Sequence, residues 1–558
     1  MDKENMNSMK KKALAFAAAA CAFGMLLSGC GSSNGDSTAD KGSNVVTAYN
    51  SEPQNPLIPG DCNETGGGKP LDLLFARLIS FDAKGNASNE VAESIEANDN
   101  ATQYTIKLKD GWKFTDGTPV TAESFTKAWS YTANAKNAQL GSSFFSTIKG
   151  YDALQDGDKL KGDEQLEGLK VVNDKEFTVD LNQSDSVFAI KVGYTAFAPL
   201  PESFFKDPKA FGEKPVGNGP YKFQSWDHDN QIVLVKNPDY KGNRVPKNDG
   251  VTFKVYTKDE AAYADIQSGS LDVMESVPAS ATKTFEKDST VQAYNKAGSV
   301  IQQFTIPSNV KHFEAGTEEG TLRRQAISMA INRQNICDKV LNGTGTPAAD
   351  FTSPLTPGYS DSLTGSDNLK YNEKKAKELW DKANAISPWT ADDKLTFAYN
   401  ADGGHEVIYT AVVNSINNVL GDGVAATNPY PTFNDFRTAV SDRKVNGAFR
   451  SGWQPDYPSA ENYLMQNFAS SAADGNGSND GDYKNSKFDD LCNQAAASKT
   501  TDDANKLYQK AQEVLLNDLP AVPLYYANAY GVASTGVSGF EMNWQNLPVY
   551  ENMTKSGK

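Results

Sequence analysis

For more than five hundred residues this chain alternates short strand and helix signals with no repeat and no flexible linker. That alternation constrains the fold more than any single motif. Residues 104–108 (YTIKL) alternate apolar and polar positions, as a half-buried strand does. Residues 121–131 read as a helix capped by Thr121, and residues 373–385 as one capped by Asn372 with its charges outside. Residues 502–516 give a third helix, stopped before Pro520. Residues 232–235 and 251–255 read as strands, and 261–268 and 323–331 have helical spacing. No period of 20–50 residues is present, so the chain is no solenoid. The class is α/β or α+β with several domains. The polar stretches at 362–369 and 470–482 are too short to be linkers, so the domains must be built from segments interleaved in sequence.

With 39% hydrophobic and 10% aromatic residues the chain can bury a sizeable core. Its 54 Lys and Arg against 70 Asp and Glu give a net charge of −16. An acidic chain with no basic block is a poor partner for nucleic acid, whose binding rests on Lys and Arg neutralising phosphates.

The first thirty residues stand apart. Lys10, Lys11 and Lys12 precede an apolar run over residues 13–27, too short to span a bilayer but suited to the core of a signal peptide. It ends Leu27-Ser28-Gly29-Cys30, which resembles the lipobox of bacterial lipoproteins. The resemblance implies cleavage before Cys30 and a diacylglycerol on its thiol, with two or three acyl chains as a stable anchor. Loss of residues 1–29 removes four Lys, Asp2 and Glu4 and leaves a net charge of −18. Residues 31–44 carry almost nothing apolar and read as a tether. A GxSxG match at 31–35 lies in that tether, where no strand and helix can form a nucleophile elbow.

Cys62, Cys337 and Cys492 allow at most one disulfide, and buried free thiols are expected. Three dispersed His (His228, His312, His405) and no CxxC argue against a soft-metal site. Ser124-Phe125-Thr126-Lys127 fits SxxK and Ser366-Asp367-Asn368 fits SDN, but no Lys-Thr-Gly completes a penicillin-recognising set. No P-loop occurs, so no ATPase activity is expected and energy would come from a partner.

Six blocks occur in an order that resembles the peptide- and nickel-type solute-binding proteins of bacterial ABC importers, solute-binding family 5. They are residues 74–78 (LFARL) through 111–122 (GWKFTDGTPVTA); 217–221 (GNGPY) with 233–240 (VLVKNPDY); 266–273 (IQSGSLDV); 324–333 (RQAISMAINR); 452–458 (GWQPDYP); and 520–525 (PAVPLY). Within them Trp112 and Phe114 are expected in a core, and Gly117 and Gly219 in turns that require positive φ.

The resemblance implies an α/β, two-lobed clamshell of the periplasmic-binding-protein type (type II, with an extra inserted domain) that closes on its ligand about a hinge. It divides the chain into a leader (1–29), a lipidated Cys and tether (30–44), lobe 1 (45–75 and 183–296, with a return at 526–558), an inserted domain (76–182) and lobe 2 (297–525). It implies short peptides as ligands, an ABC permease and its ATPase subunits as partners, no cofactor, no metal and no enzymatic activity. The protein is expected to act as a monomer on the extracytoplasmic face of the cell membrane. On the same scaffold an oligosaccharide, opine or metal chelate is the alternative cargo.

A buried peptide needs partners for its charged ends. Asp456 matches the family's ammonium-binding carboxylate. Arg450 matches an arginine that some members use for the ligand carboxylate, and its fork suits that work. Trp453 is expected as a pocket wall, with Tyr457 beside it. Glu52 and Asn55, in the segment 52–56 (EPQNP), resemble the family's stretch bordering the peptide.

Overall fold

The computed structural model describes residues 44–555 except Asn63, Ala279, Asp402, Gly403, Thr432 and Asn476. The leader, Cys30 and the tether to residue 43 lie outside the described residues. The described residues form one compact unit.

Helices form where the caps are. Ser124 Oγ accepts the Thr121 N–H at 3.1 Å at the start of helix Ala122–Ala133. Asn372 accepts the Lys375 N–H at 3.0 Å to open Glu373–Ile386. Thr500 opens Thr501–Asp518, which ends where Leu519 turns left-handed (φ +45°) before Pro520. Ser124 is thus a capping residue, and Lys127 pairs with Glu123 at 3.0 Å and Glu202 at 2.6 Å, so the SxxK match is structural. Gly117 does adopt positive φ (+88°). Gly219 does not. It is required because a Cβ there would stand 2.5 Å from the Leu73 carbonyl oxygen.

One large sheet organises the molecule. Its strand order is Ala425–Tyr430, Leu395–Asn400, Ala448–Trp453, Val291–Thr305, Ala521–Ser534, Val273–Met274, Val45–Asn50, Gly250–Val255, Gln231–Lys236, Tyr221–Asp227. Strand Gly345–Pro347 adds to Ala521–Ser534. A separate antiparallel sheet orders Ala92–Ala97, Gln103–Leu108, Glu176–Asp180 and Leu169–Asn173.

Two main apolar cores lie along the large sheet. The first runs from Val46 to Phe253 with Val273, Ala533, Val537, Tyr550 and Met553; the second lies within residues 304–525. Trp112 and Phe114 are buried in the first. There Trp129 meets Phe125, Phe177, Phe188 and Phe197 edge to face, which fastens the four-stranded sheet to the rest of that core. Such pairs each contribute about 0.5–1.5 kcal/mol beyond area burial.

Among the described residues, two long strands join the two ends of the large sheet. Val291–Thr305 and Ala521–Ser534 pair along their whole lengths, with register shifts at Ala297/Val300 and Gln302/Gln303. Beyond them, Ala521–Ser534 pairs with Val273–Met274 on one side and Val291–Thr305 with Ala448–Trp453 on the other. At the first shift Ser299 donates its N–H to Asn546 Oδ1 at 3.3 Å and accepts from Tyr463 Oη at 2.6 Å. Bulges of this kind bend paired strands locally.

Cys337 and Cys492 are buried free thiols and Cys62 is a partly buried one.

Candidate functional site

Strand Ala448–Trp453 leads into the site. Pro455 and Pro458 lie just beyond it and prevent the ladder from continuing. Ser459 then caps helix Ala460–Phe468 by accepting the Glu461 N–H. Asp456 therefore sits in a short connection held at both ends.

Asp456 lines a cavity of about 780 Å³ whose opposite wall carries Phe144, Asp185 and Lys191. The two walls come from the regions of the two cores, so the cavity lies between them. Burial pushes the Asp456 carboxyl up to about 6, with Asn462 opposing and Glu461 adding to the rise. Among the described residues no basic group compensates it. Tyr194, also raised by burial, feels the Asp456 charge.

Beside it lies a buried ionic cluster. Lys191 Nζ is 2.8 Å from Asp185 and 3.4 Å from Glu461, and it stands 5.6 Å from the centre of the Tyr457 ring. The Tyr457 hydroxyl donates to Glu461. Burial alone would depress Lys191, but Asp185 and Glu461 together hold it above the usual lysine range. Asp185 and Lys191 precede the two long shared strands in sequence, whereas Tyr457 and Glu461 lie between them. Ser186 adds a second tie, its N–H to the Ala496 carbonyl at 2.7 Å and its hydroxyl to Ala495 at 2.9 Å. Asp185, Lys191, Glu461 and Asn462 were not singled out from the sequence. Glu461 and Asn462 could have been, since they open the helix after Asp456. Asp185 and Lys191 lie far away in sequence and carry no local signal.

Trp453 and Tyr457 do line the Asp456 cavity. Arg450 does not. It borders a second cavity of about 380 Å³ that shares Trp453 in its wall. Alternation along the strand puts Arg450 on the face opposite Ser451 and Trp453. It interacts there with the phenols of Tyr409 and Tyr525. Its buried Nε has no hydrogen-bond partner among the described residues.

Glu52 and Asn55 are not brought to either cavity. Glu52 instead accepts from His228 Nδ1 at 2.9 Å and from the Asp229 N–H at 3.0 Å. Asn55 donates to the Asp61 carbonyl at 3.1 Å. Both are consumed in holding the turn that follows strand Val45–Asn50.

A cavity between two lobes, walled by discontinuous segments and holding one uncompensated carboxylate, is arranged to bind a solute. The profile of the bacterial extracellular solute-binding proteins, family 5 Middle, matches residues 86–475. The chain belongs to this family. Among its relatives is the oligopeptide-binding protein OppA of Bacillus subtilis (strain 168), 26% identical over 542 residues, covering 93% of this chain and 95% of the relative. The periplasmic oligopeptide-binding protein OppA of Salmonella typhimurium is 28% identical over 481 residues, with 81% of each chain covered. Among solved structures, the murein tripeptide-binding protein MppA in its unliganded open form superposes with a TM-score of 0.78, at 22% identity over 93% of this chain and 98% of that one. The fold is therefore the two-lobed family 5 solute-binding fold. The family is one of extracytoplasmic solute-binding proteins, not enzymes.

Proposed function

We propose that this family 5 protein captures short peptides with a free N-terminus and delivers them to an ABC importer. The observation that carries the reading is Asp456: a carboxylate in the cavity between the lobes, raised by burial and left without a cation. A buried charge without a partner costs several kcal/mol, so the site selects a ligand that brings an ammonium. Relatives named for binding oligopeptides support the class of cargo. Trp453 and Tyr457 are the proposed walls of the ammonium site. Arg450 stays the proposed partner for the ligand carboxylate only for a ligand that reaches the second cavity.

In this reading the lobes are 45–75 with 183–296 and 526–558, and 297–525, with 76–182 inserted. The shared strands act as the hinge. The two separate cores and the register shift at Ala297/Val300 support that division.

The test is calorimetry of the purified mature protein with a panel of tripeptides, free and N-acetylated. The free forms are expected to bind about a hundredfold more tightly, the scale of losing one partner of a buried charge pair. Equal affinities across the panel would refute the ammonium reading.

Membrane attachment is a separate part of the proposal and rests on Leu27-Ser28-Gly29-Cys30. Cells expressing the full chain are expected to incorporate labelled palmitate into it and to retain it in the membrane fraction. Cys30→Ser is expected to abolish the label and release the protein. A labelled Cys30→Ser protein would remove the lipid anchor from the proposal.

A further inference from the structure

Asn462 is fully buried in the first turn of helix Ala460–Phe468. Its Oδ1 accepts from Trp453 Nε1 at 2.8 Å and from the Asp456 N–H at 3.0 Å. Its Nδ2 donates to Asp456 Oδ2 at 3.1 Å. An indole N–H can only donate, and so can a backbone N–H. Both therefore demand the oxygen of the amide, and its NH₂ is left facing the carboxylate. The orientation of the Asn462 side chain is thus decided by its neighbours.

We propose that Asn462 is the positioning residue that aims the Asp456 carboxylate at the ligand ammonium, an inference that rests on the reading of Asp456 above. Asn462 binds Oδ2 of Asp456, and among the described residues no other side chain donates to the carboxylate that faces the cavity. By holding the Asp456 backbone and side chain together, it fixes the carboxylate that a flexible connection would otherwise let turn away. Its own backbone is fixed from both sides. The preceding Glu461 is tied to Tyr457 and Lys191, and the hydroxyl of the following Tyr463 donates to the Ser299 carbonyl at 2.6 Å. Trp453 has the same logic: its ring walls the cavity while its N–H sets the amide. A purely structural Asn462 would satisfy the indole and the turn and have no bearing on which ligands bind.

The experiment separates these roles by ligand selectivity. Asn462→Ala and Asn462→Ser are purified as full mature chains, and their melting temperatures establish that they are folded. Affinities for trialanine and N-acetyl-trialanine are measured by calorimetry, with competition for the weaker ligand. Trialanine affinity is expected to fall about tenfold in both variants, the scale of one hydrogen bond to a charged group. N-acetyl-trialanine affinity is expected to stay within about twofold. In an Asp456→Asn background, adding Asn462→Ala is expected to cost trialanine nothing further. Equal losses for both peptides in either folded variant would overturn the inference, as would losses that multiply in the double variant. If the wild type itself does not distinguish the two peptides, the reading of Asp456 falls and this inference with it. A wild type that distinguishes them and variants that do so equally well overturn this inference alone.

Discussion

Asp456→Asn is expected to weaken binding of free-amine peptides about a hundredfold and, in the same protein, to raise the melting temperature of the ligand-free form. Both effects follow from the raised carboxyl, which burial holds at about 6. Between the ordinary carboxylate range and that value, the folded protein keeps a proton that the unfolded chain has released. Stability from this group therefore declines as pH rises through that window, and the full penalty, on the order of 2–3 kcal/mol, stands at neutral pH. An amide carries no such penalty.

Ligand affinity has the opposite sign. The ammonium needs the ionised carboxylate, so affinity rises with pH through about 6 and then levels. At about pH 5 binding should be about tenfold weaker than at about pH 7. The groups that act on Asp456 are Glu461 and Asn462 from its own side, its charge is felt by Tyr194, and the Lys191–Asp185 pair lines the same cavity. Calorimetry across that pH range, with denaturation of the empty wild type and variant, reads both signs. A flat pH profile, or an Asn variant less stable than the wild type at neutral pH, would count against a buried, uncompensated Asp456.

Arg324→Ala is expected to prevent accumulation of folded protein. The Arg324 side chain is buried beside the second core and makes no salt bridge among the described residues, though Asp518 and Glu314 act on it from a distance. It donates to four backbone carbonyls: Phe313 (2.8 and 2.6 Å), Ile306 (2.9 Å), Leu519 (3.0 Å) and Pro307 (3.0 Å). Burial lowers its guanidinium to about 10, so it stays charged at neutral pH. Truncation strands those carbonyls at roughly 1–3 kcal/mol each and leaves a cavity. The sum rivals the 5–15 kcal/mol of a whole domain. Arg324→Lys keeps the charge but not the fork, and is expected to fold with a large loss of stability. Denaturant unfolding of the Lys variant, with expression yield of the Ala variant, checks this. A soluble Arg324→Ala protein of wild-type stability would show that the carbonyls find other partners.

Local structure was legible in the sequence wherever short-range chemistry decides it. Thr121, Asn372 and Pro520 marked helix limits because capping and proline effects act within a few residues. Gly117 was read correctly from its turn. Gly219 was not, because its need is set by the Leu73 carbonyl, which belongs to a distant segment. The binding residues divide the same way. Asp456, Trp453 and Tyr457 stand in one short motif and share one cavity. Arg450 belongs to the same stretch, yet strand parity turns it to the other face. Glu52 and Asn55 are engaged by His228, Asp229 and the Asp61 carbonyl, which no local pattern announces.

The sequence by itself determined the family, the alternating α/β elements and the carboxylate to which a ligand ammonium is assigned. These depend on motifs and on periodicities of two and 3.6 residues, all short-range. Only the tertiary structure decided what surrounds that carboxylate. Lys191 and Asp185 come from a distant segment to pair with Glu461 in the same cavity, and Asn462 reaches the carboxylate because a helix turn folds back on the connection. Whether a buried charge is compensated depends on everything within a few ångströms of it, and residues hundreds of positions apart become neighbours only once the chain has folded.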